Sequence, residues 1–189
     1  MKFPLKTLTT LPAAALLLLG TTGPAGAWNT TGPVPLDFLT GGGWITHDDG
    51  STANFGVGGG VKNGAWWGHL NYVDQEAGLH VTNATVTAYM QVDDYTREIC
   101  GTAETNLYGP VDYDVMAADN GEPGVNDTFT ITLGQNGTVV YTTSGDSNHT
   151  LGGSAQGGGN IQLHAGNPSN TAPTTAPVCN ITSGAPASS

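Results

Sequence analysis

The chain has 189 residues, with 15 Asp and Glu against 4 Lys and Arg, a formal net charge of −11. A nucleic-acid partner needs a basic footprint that four cations do not supply, and an anionic membrane surface repels a chain of this sign. Cations and neutral ligands such as sugars fit the charge better.

The first element in chain order is a leader. Lys2 and Lys6 precede the apolar run "LPAAALLLLG", and Ala25-Gly26-Ala27 offers a small-x-small cleavage site. That pattern predicts a secretory signal peptide over residues 1–27. No later segment reaches the ~18 apolar residues of a spanning helix, so no membrane insertion is expected. The predicted location is secreted, extracellular or periplasmic. Residues 28–35 read as a linker, 36–165 as one domain and 166–189 as a Pro/Thr/Ser-rich tail.

The domain reads as strands. "GWITH" and "TANFGVGG" come first. In "GHLNYV", Leu70 and Tyr72 share one face and His69 and Asn71 the other. "GLHVTNATVTAYMQV" changes phase near Thr82-Asn83: Leu79 and Val81 lie on odd positions, while Ala84, Val86, Ala88 and Met90 lie on even ones. That predicts a bulge. "YTREICGTA" follows, then "VDYDV" with Val111, Tyr113 and Val115 on one face. "DTFTITL" alternates Phe129, Ile131 and Leu133 with threonines. "TVVYTT" follows the hairpin signal "GQNG", and "GGNIQLH" closes the domain with Ile161 and Leu163 inward. No stretch sustains a 3.6-residue period. Eight or nine short antiparallel strands with one buried face predict an all-β sandwich of jelly-roll or immunoglobulin-like type.

Several constellations could carry chemistry. The loop in "DVMAADNGEPGVNDTFTITL" holds Asp119, Asn120, Glu122, Asn126 and Asp127 around Pro123-Gly124. Pro followed by Gly predicts a type II turn. The crowd of oxygens suits either an Asx-rich turn or a calcium site using Asp119, Asn120, Glu122 and Asp127, although the spacing is not that of an EF-hand. Asp127 could instead shut the loop by accepting backbone N–H bonds. A hairpin pairing Tyr72 with Leu79 would make His69 and His80 diagonal neighbours, roughly 7 Å apart at the backbone. Such a pair could share a transition metal if a carboxylate joined it, with His164 a third member only if its strand lies adjacent; two solvent-facing histidines are the plain alternative.

Trp66-Trp67 on a strand sends one indole inward and the other outward. An exposed indole beside Asn63 and His69 could stack on a sugar ring. The acid pairs Asp48-Asp49 and Asp93-Asp94 point to opposite faces and form no ready dyad. No GxSxG or HExxH motif is present. Cys100 and Cys179 most simply pair in an exported chain, pinning the tail back; an intermolecular bond or a free thiol is the alternative. N-x-T sequons occur at Asn29, Asn83, Asn126, Asn136, Asn148 and Asn180.

Four runs, "FLTGGGWI", "GHLNYVDQEAGLHV", "ADNGEPGVNDTFTITL" and "GGGNIQLH", together resemble the post-COAP family of bacterial extracellular domains. The resemblance covers residues 38–164. It implies an all-β domain, of a kind often appended to larger secreted proteins, and transfers no catalytic residue. The sequence reading is therefore a secreted, non-catalytic binding or surface-interaction module, calcium-stabilised or carbohydrate-binding, whose partner is an extracellular glycan or a cell-surface protein. The alternatives are a small metal-dependent enzyme built on the histidines, and a structural coat or filament subunit.

Overall fold

The computed structural model describes residues 34–154 and 157–181. The predicted signal peptide, most of the linker and the end of the tail lie outside them. Nine strands form a single antiparallel sheet: β1 (Phe38–Thr46), β2 (Thr52–Lys62), β3 (Ala65–Asp74), β4 (Leu79–Gln91), β5 (Thr96–Thr105), β6 (Gly109–Ala118), β7 (Thr128–Gln135), β8 (Thr138–Thr142) and β9 (Gly159–His164). Their order is β8-β7-β6-β5-β4-β3-β2-β1-β9. Neighbours in sequence are neighbours in the sheet, except that β9 returns beside β1. The two layers are thus halves of one curled meander, without the Greek-key crossings of a jelly roll or an immunoglobulin domain.

The sheet curls because its alternating apolar face must find cover. Phe55 of β2 stacks on Phe129 of β7 with ring centroids 3.8 Å apart, and Tyr72 of β3 lies 6.2 Å from the same ring. Leu39, Leu70, Tyr72, Leu79, Val81, Tyr113, Val115, Phe129, Ile131, Leu133 and Ile161 all belong to this core. The predicted faces of β3, β6, β7 and β9 are those observed.

Turn chemistry sets the hairpins. Asn63-Gly64 joins β2 to β3 and Asn136-Gly137 joins β7 to β8, every one of these residues having positive φ. Those are the two-residue I′ loops that Asn-Gly favours. The expected bulge is present: pairing of β4 with β5 shifts between Thr82 and Thr85, with Asn83 at φ 53°. A second shift between Val86 and Ala88 was not foreseen. It turns Tyr89 into the core and sends Ala88 and Met90 to the outer face, where they pack with Cys100.

The β3–β4 register also differs from the expected one. Tyr72 pairs with Val81 and Val73 with His80, because the turn spans four residues beyond Asp74, not a tighter set. The inward residues are unchanged, since the slip is by two positions.

The tail is part of the structure. It runs across the outer face as a strap from the β2–β3 turn to β7. Thr174 N–H donates to Gly64 O at 3.2 Å and Val178 N–H to Thr87 O at 3.1 Å. Cys179 is disulfide-bonded to Cys100 of β5. Asn180 Nδ2 then donates to Asp112 Oδ1 at 2.8 Å, and Ile181 is buried against Gly134.

Candidate functional site

A row of cross-strand neighbours runs over the outer face: His164 on β9, Phe38 on β1, Gly60 on β2 and Trp67 on β3. Gly60 has no side chain, so the flanking rings approach over it. Phe38 and Trp67 meet edge to face at 6.3 Å, and His164 stacks on Phe38 at 4.5 Å. His164 Nε2 is fixed by a 2.9 Å hydrogen bond with Thr40 Oγ1. Trp67 is 37 % exposed, whereas Trp66 packs on the core, so the indoles divide as the sequence predicts.

Trp67 and Phe38 form one wall of a cleft of about 280 Å3 whose other residues include Lys62, Asn63, Asn167, Ser169 and Asn170. Asn170 holds the strap to the turn: its Oδ1 accepts from Asn63 N–H at 2.9 Å, and its Nδ2 donates to Val61 O. Asn167 Oδ1 accepts from the N–H and hydroxyl of Ser169. Asn63 and Trp67 therefore meet as expected, while Trp66 does not join them. The strap, pinned back by the expected Cys100–Cys179 bond, supplies three of the five polar lining residues, Asn167, Ser169 and Asn170, to which the sequence did not point.

The acidic loop between β6 and β7 caps the outer edge of β9. Asp127, fully buried, accepts Asn120 N–H at 2.8 Å and Ile161 N–H at 2.7 Å. Asp119 accepts Gly121 N–H at 3.1 Å and Leu163 N–H at 2.8 Å. Glu122 Oε1 accepts from Asn160 Nδ2 at 3.1 Å, and Asn120 Nδ2 donates to Asn126 O. Burial pushes the Asp127 carboxyl up, opposed by the N–H donors of Ile161 and Asn120. Each of the loop's three carboxylates thus accepts at least one hydrogen bond from within the chain. An exposed strand edge invites pairing with other chains, and covering it in this way prevents that.

The predicted turn type is corrected. The Glu122–Pro123 peptide is cis and Gly124 N–H bonds Gly121 O at 3.0 Å, so Pro123 sits third in a type VI turn. Gly124, at φ 80°, lies directly over β9: a Cβ there would stand 2.8 Å from Gly159 O.

The histidines do not converge. His80 faces Val73, four residues along β3 from His69, or on the order of 13 Å. His164 is three strands from β3, and its ring is held by Phe38 and Thr40. His69 lies flat over Gly58, where a Cβ would stand 2.8 Å from its Cε1. Sequence spacing placed His69 and His80 together only through the register that the structure replaces.

A histidine that the sequence did not single out is more deeply engaged. His47 at the start of the β1–β2 turn lies between two carboxylates, Nδ1 2.8 Å from Asp146 and Nε2 3.4 Å from Asp74. Tyr141 donates to Asp74 Oδ2 at 2.8 Å, and its oxygen is 2.6 Å from that of Tyr72. Burial raises both phenols, which therefore stay protonated. The network ties three loops at one end of the sheet. "THDDGST" drew attention to its acid pair, but Asp48 and Asp49 are turn residues accepting from Ser147 and Ser51. Asp93 likewise caps its own turn through Tyr95 and Thr96 N–H.

Beneath the strap, Glu98 and Asp114 flank the disulfide. Glu98 Oε1 is 3.9 Å from Cys100 Sγ and 3.8 Å from Cys179 Sγ. With the disulfide formed neither sulfur carries a proton, so these are contacts and not hydrogen bonds. Burial, and then the charge of Asp114, push the Glu98 carboxyl up to about 7. A carboxyl raised in the folded state stabilises the fold below its unfolded value of about 4.5, and that contribution is lost as pH rises through about 7. Unscreened, the shift corresponds to roughly 3 kcal/mol. Partial solvation reduces the expected span to about 1 kcal/mol. Thermal melts of wild type and Glu98→Gln should therefore differ in pH slope over this interval, the variant being flatter. Parallel slopes would refute the assignment.

The chain matches no protein-family model, no curated protein and no solved structure. None of these comparisons bears on the likeness to post-COAP domains that the four runs led us to expect. Those runs fall on β1, the β3–β4 hairpin, the β6–β7 loop with β7, and β9. Three of them meet at the seam where the acidic loop grips β9.

Proposed function

We propose that this is a secreted, non-catalytic binding module that takes a neutral carbohydrate in the outer-face cleft between Trp67 and the strap. The observation that carries the reading is the lining itself: an exposed indole beside carboxamides, a hydroxyl and one lysine. A pyranose offers an apolar C–H face to an aromatic ring and hydroxyls to amides, and this cleft presents both partners at once. An acidic chain discourages polyanionic glycans, so neutral sugars are favoured. The disulfide and the absence, among the described residues, of any helix long and apolar enough to cross a membrane support an exported setting. Calcium enters the proposal only as an accessory, because the loop closes on its own N–H donors.

A glycan array probed with the full chain tests the reading. Trp67→Ala should weaken binding at least about tenfold, as loss of a central aromatic contact does. Its stability should stay within about 0.5 kcal/mol of wild type, as for other surface changes. Trp66→Ala should do the reverse, costing about 2 kcal/mol of stability through lost core packing. An array without any retained sugar, or binding that survives Trp67→Ala, would end the carbohydrate reading.

A further inference from the structure

We propose that the Cys100–Cys179 disulfide is the oxidised form of a metal site: reduction frees two thiols whose sulfurs, losing their protons to solvent as the ion binds, join the Glu98 and Asp114 carboxylates around one zinc-class divalent ion. The inference stands apart from the carbohydrate cleft. Cys100 pairs directly with Asp114 across β5 and β6, and Glu98 lies two residues along β5 on the same face. Cys179 reaches this patch from the strap. One donor atom from each of the four lies within 4.8 Å of all the others, the one such group of His, Cys, Asp and Glu among the described residues. A tetrahedral zinc ion with sulfur at about 2.3 Å and oxygen at about 2.0–2.2 Å needs donors roughly 3.3–3.8 Å apart. The carboxylates need only a small approach, and the sulfurs need to part from bonding distance.

Charge supplies the reason for an ion. In the disulfide the sulfurs are uncharged, leaving two carboxylates, too few to hold a zinc-class ion. Two reduced sulfurs join the two carboxylates beside the apolar Ala88 and Met90, and full deprotonation would gather four negative charges there. The nearby cation, Arg97, points to the other face and is bound to Asp37. A half-buried cluster of that charge is costly without a cation, and mixed thiolate–carboxylate donors suit zinc. The redox step is balanced by a dithiol donor. It gives two electrons and two protons to the disulfide and becomes a disulfide itself, and both thiol protons leave when the ion binds.

The test uses the full chain, oxidised or reduced with a dithiol, titrated with cadmium or cobalt. The reduced chain is expected to take up one ion with a sulfur-to-metal charge-transfer band, and the oxidised chain none. Glu98→Gln with Asp114→Asn should weaken uptake at least about tenfold, and Cys100→Ser with Cys179→Ser should remove the band. A reduced chain that keeps its strand circular dichroism yet shows no band would overturn the proposal. So would unchanged affinity in the carboxylate double variant. Should reduction lower the strand signal, the ion is expected to restore it, and failure to do so also counts against the site.

Discussion

Asp37→Ala is expected to destabilise the fold by about 4 kcal/mol, the penalty for stranding a buried cation. Arg97 is 3 % exposed, and its Nη2 and Nε donate to Asp37 at 2.6 and 3.3 Å. Tyr89, fully buried, donates to the same carboxylate at 2.8 Å, and burial raises its phenol so that it remains a donor. Removing Asp37 leaves both groups facing an apolar interior. Nη1 still reaches the carbonyls of Asp93 and Thr96, which solvate the guanidinium but do not neutralise it. Urea unfolding would measure the loss. The double variant Asp37→Ala with Arg97→Met should recover part of it, because no charge is then buried. A single variant within about 1 kcal/mol of wild type would show that Arg97 is solvated in ways this arrangement does not include.

Asp127→Ala should cost about 3 kcal/mol, lowering the melting temperature by roughly 10 °C for a domain of this size. The carboxylate serves two amides on different elements, Asn120 in the loop and Ile161 on β9, and is fully buried. Its loss orphans both N–H groups, and buried orphans carry the full desolvation penalty. Asp119 continues to hold Leu163 N–H, so the edge loosens locally without coming free. Hydrogen exchange should report this directly: the Ile161 amide loses protection ahead of its partners in β1. Asp127→Asn should be nearly as damaging, since its amide must present an NH2 to one of the two N–H donors. An Ile161 amide that stays protected in both variants would contradict the clamp.

The fold was largely legible in the sequence because a half-buried strand writes its faces in period two. Val111, Tyr113 and Val115, or Phe129, Ile131 and Leu133, needed no other information. The bulge at Asn83 was legible for the same reason, as a change of phase. The second shift was hidden because Ala88, Tyr89 and Met90 are all apolar, and three apolar neighbours in a row carry no phase. Strand order left no mark, since any pair of faces with this alternation could pack together.

The site was legible only in part. Trp67 and Asn63 stood out by residue type and position. Cys179 marked the tail as pinned back, but Asn167, Ser169 and Asn170 did not stand out, because the strap is low in apolar residues and is held by side-chain amides, a few backbone bonds and one covalent bond. Asp37 and His47 were invisible for a related reason: each is an ordinary residue until Arg97, or Asp74 and Asp146, arrive from 27 to 99 positions away. The acidic loop presented the opposite difficulty. Its composition suits calcium and a capped edge equally, and only the position of β9 shows where its carboxylates are directed.

Titrating the 15N-labelled chain with a neutral sugar retained on the array, and following indole and side-chain amide signals, addresses the central claim most directly. The account predicts that the Trp67 indole and the Asn63, Asn167 and Asn170 carboxamides shift together and saturate at one sugar per chain, while Ile161 and Leu163 under the acidic loop stay still. Shifts centred on His47 and Asp74 or on the 119–127 loop, or an unmoved Trp67 indole, would contradict it.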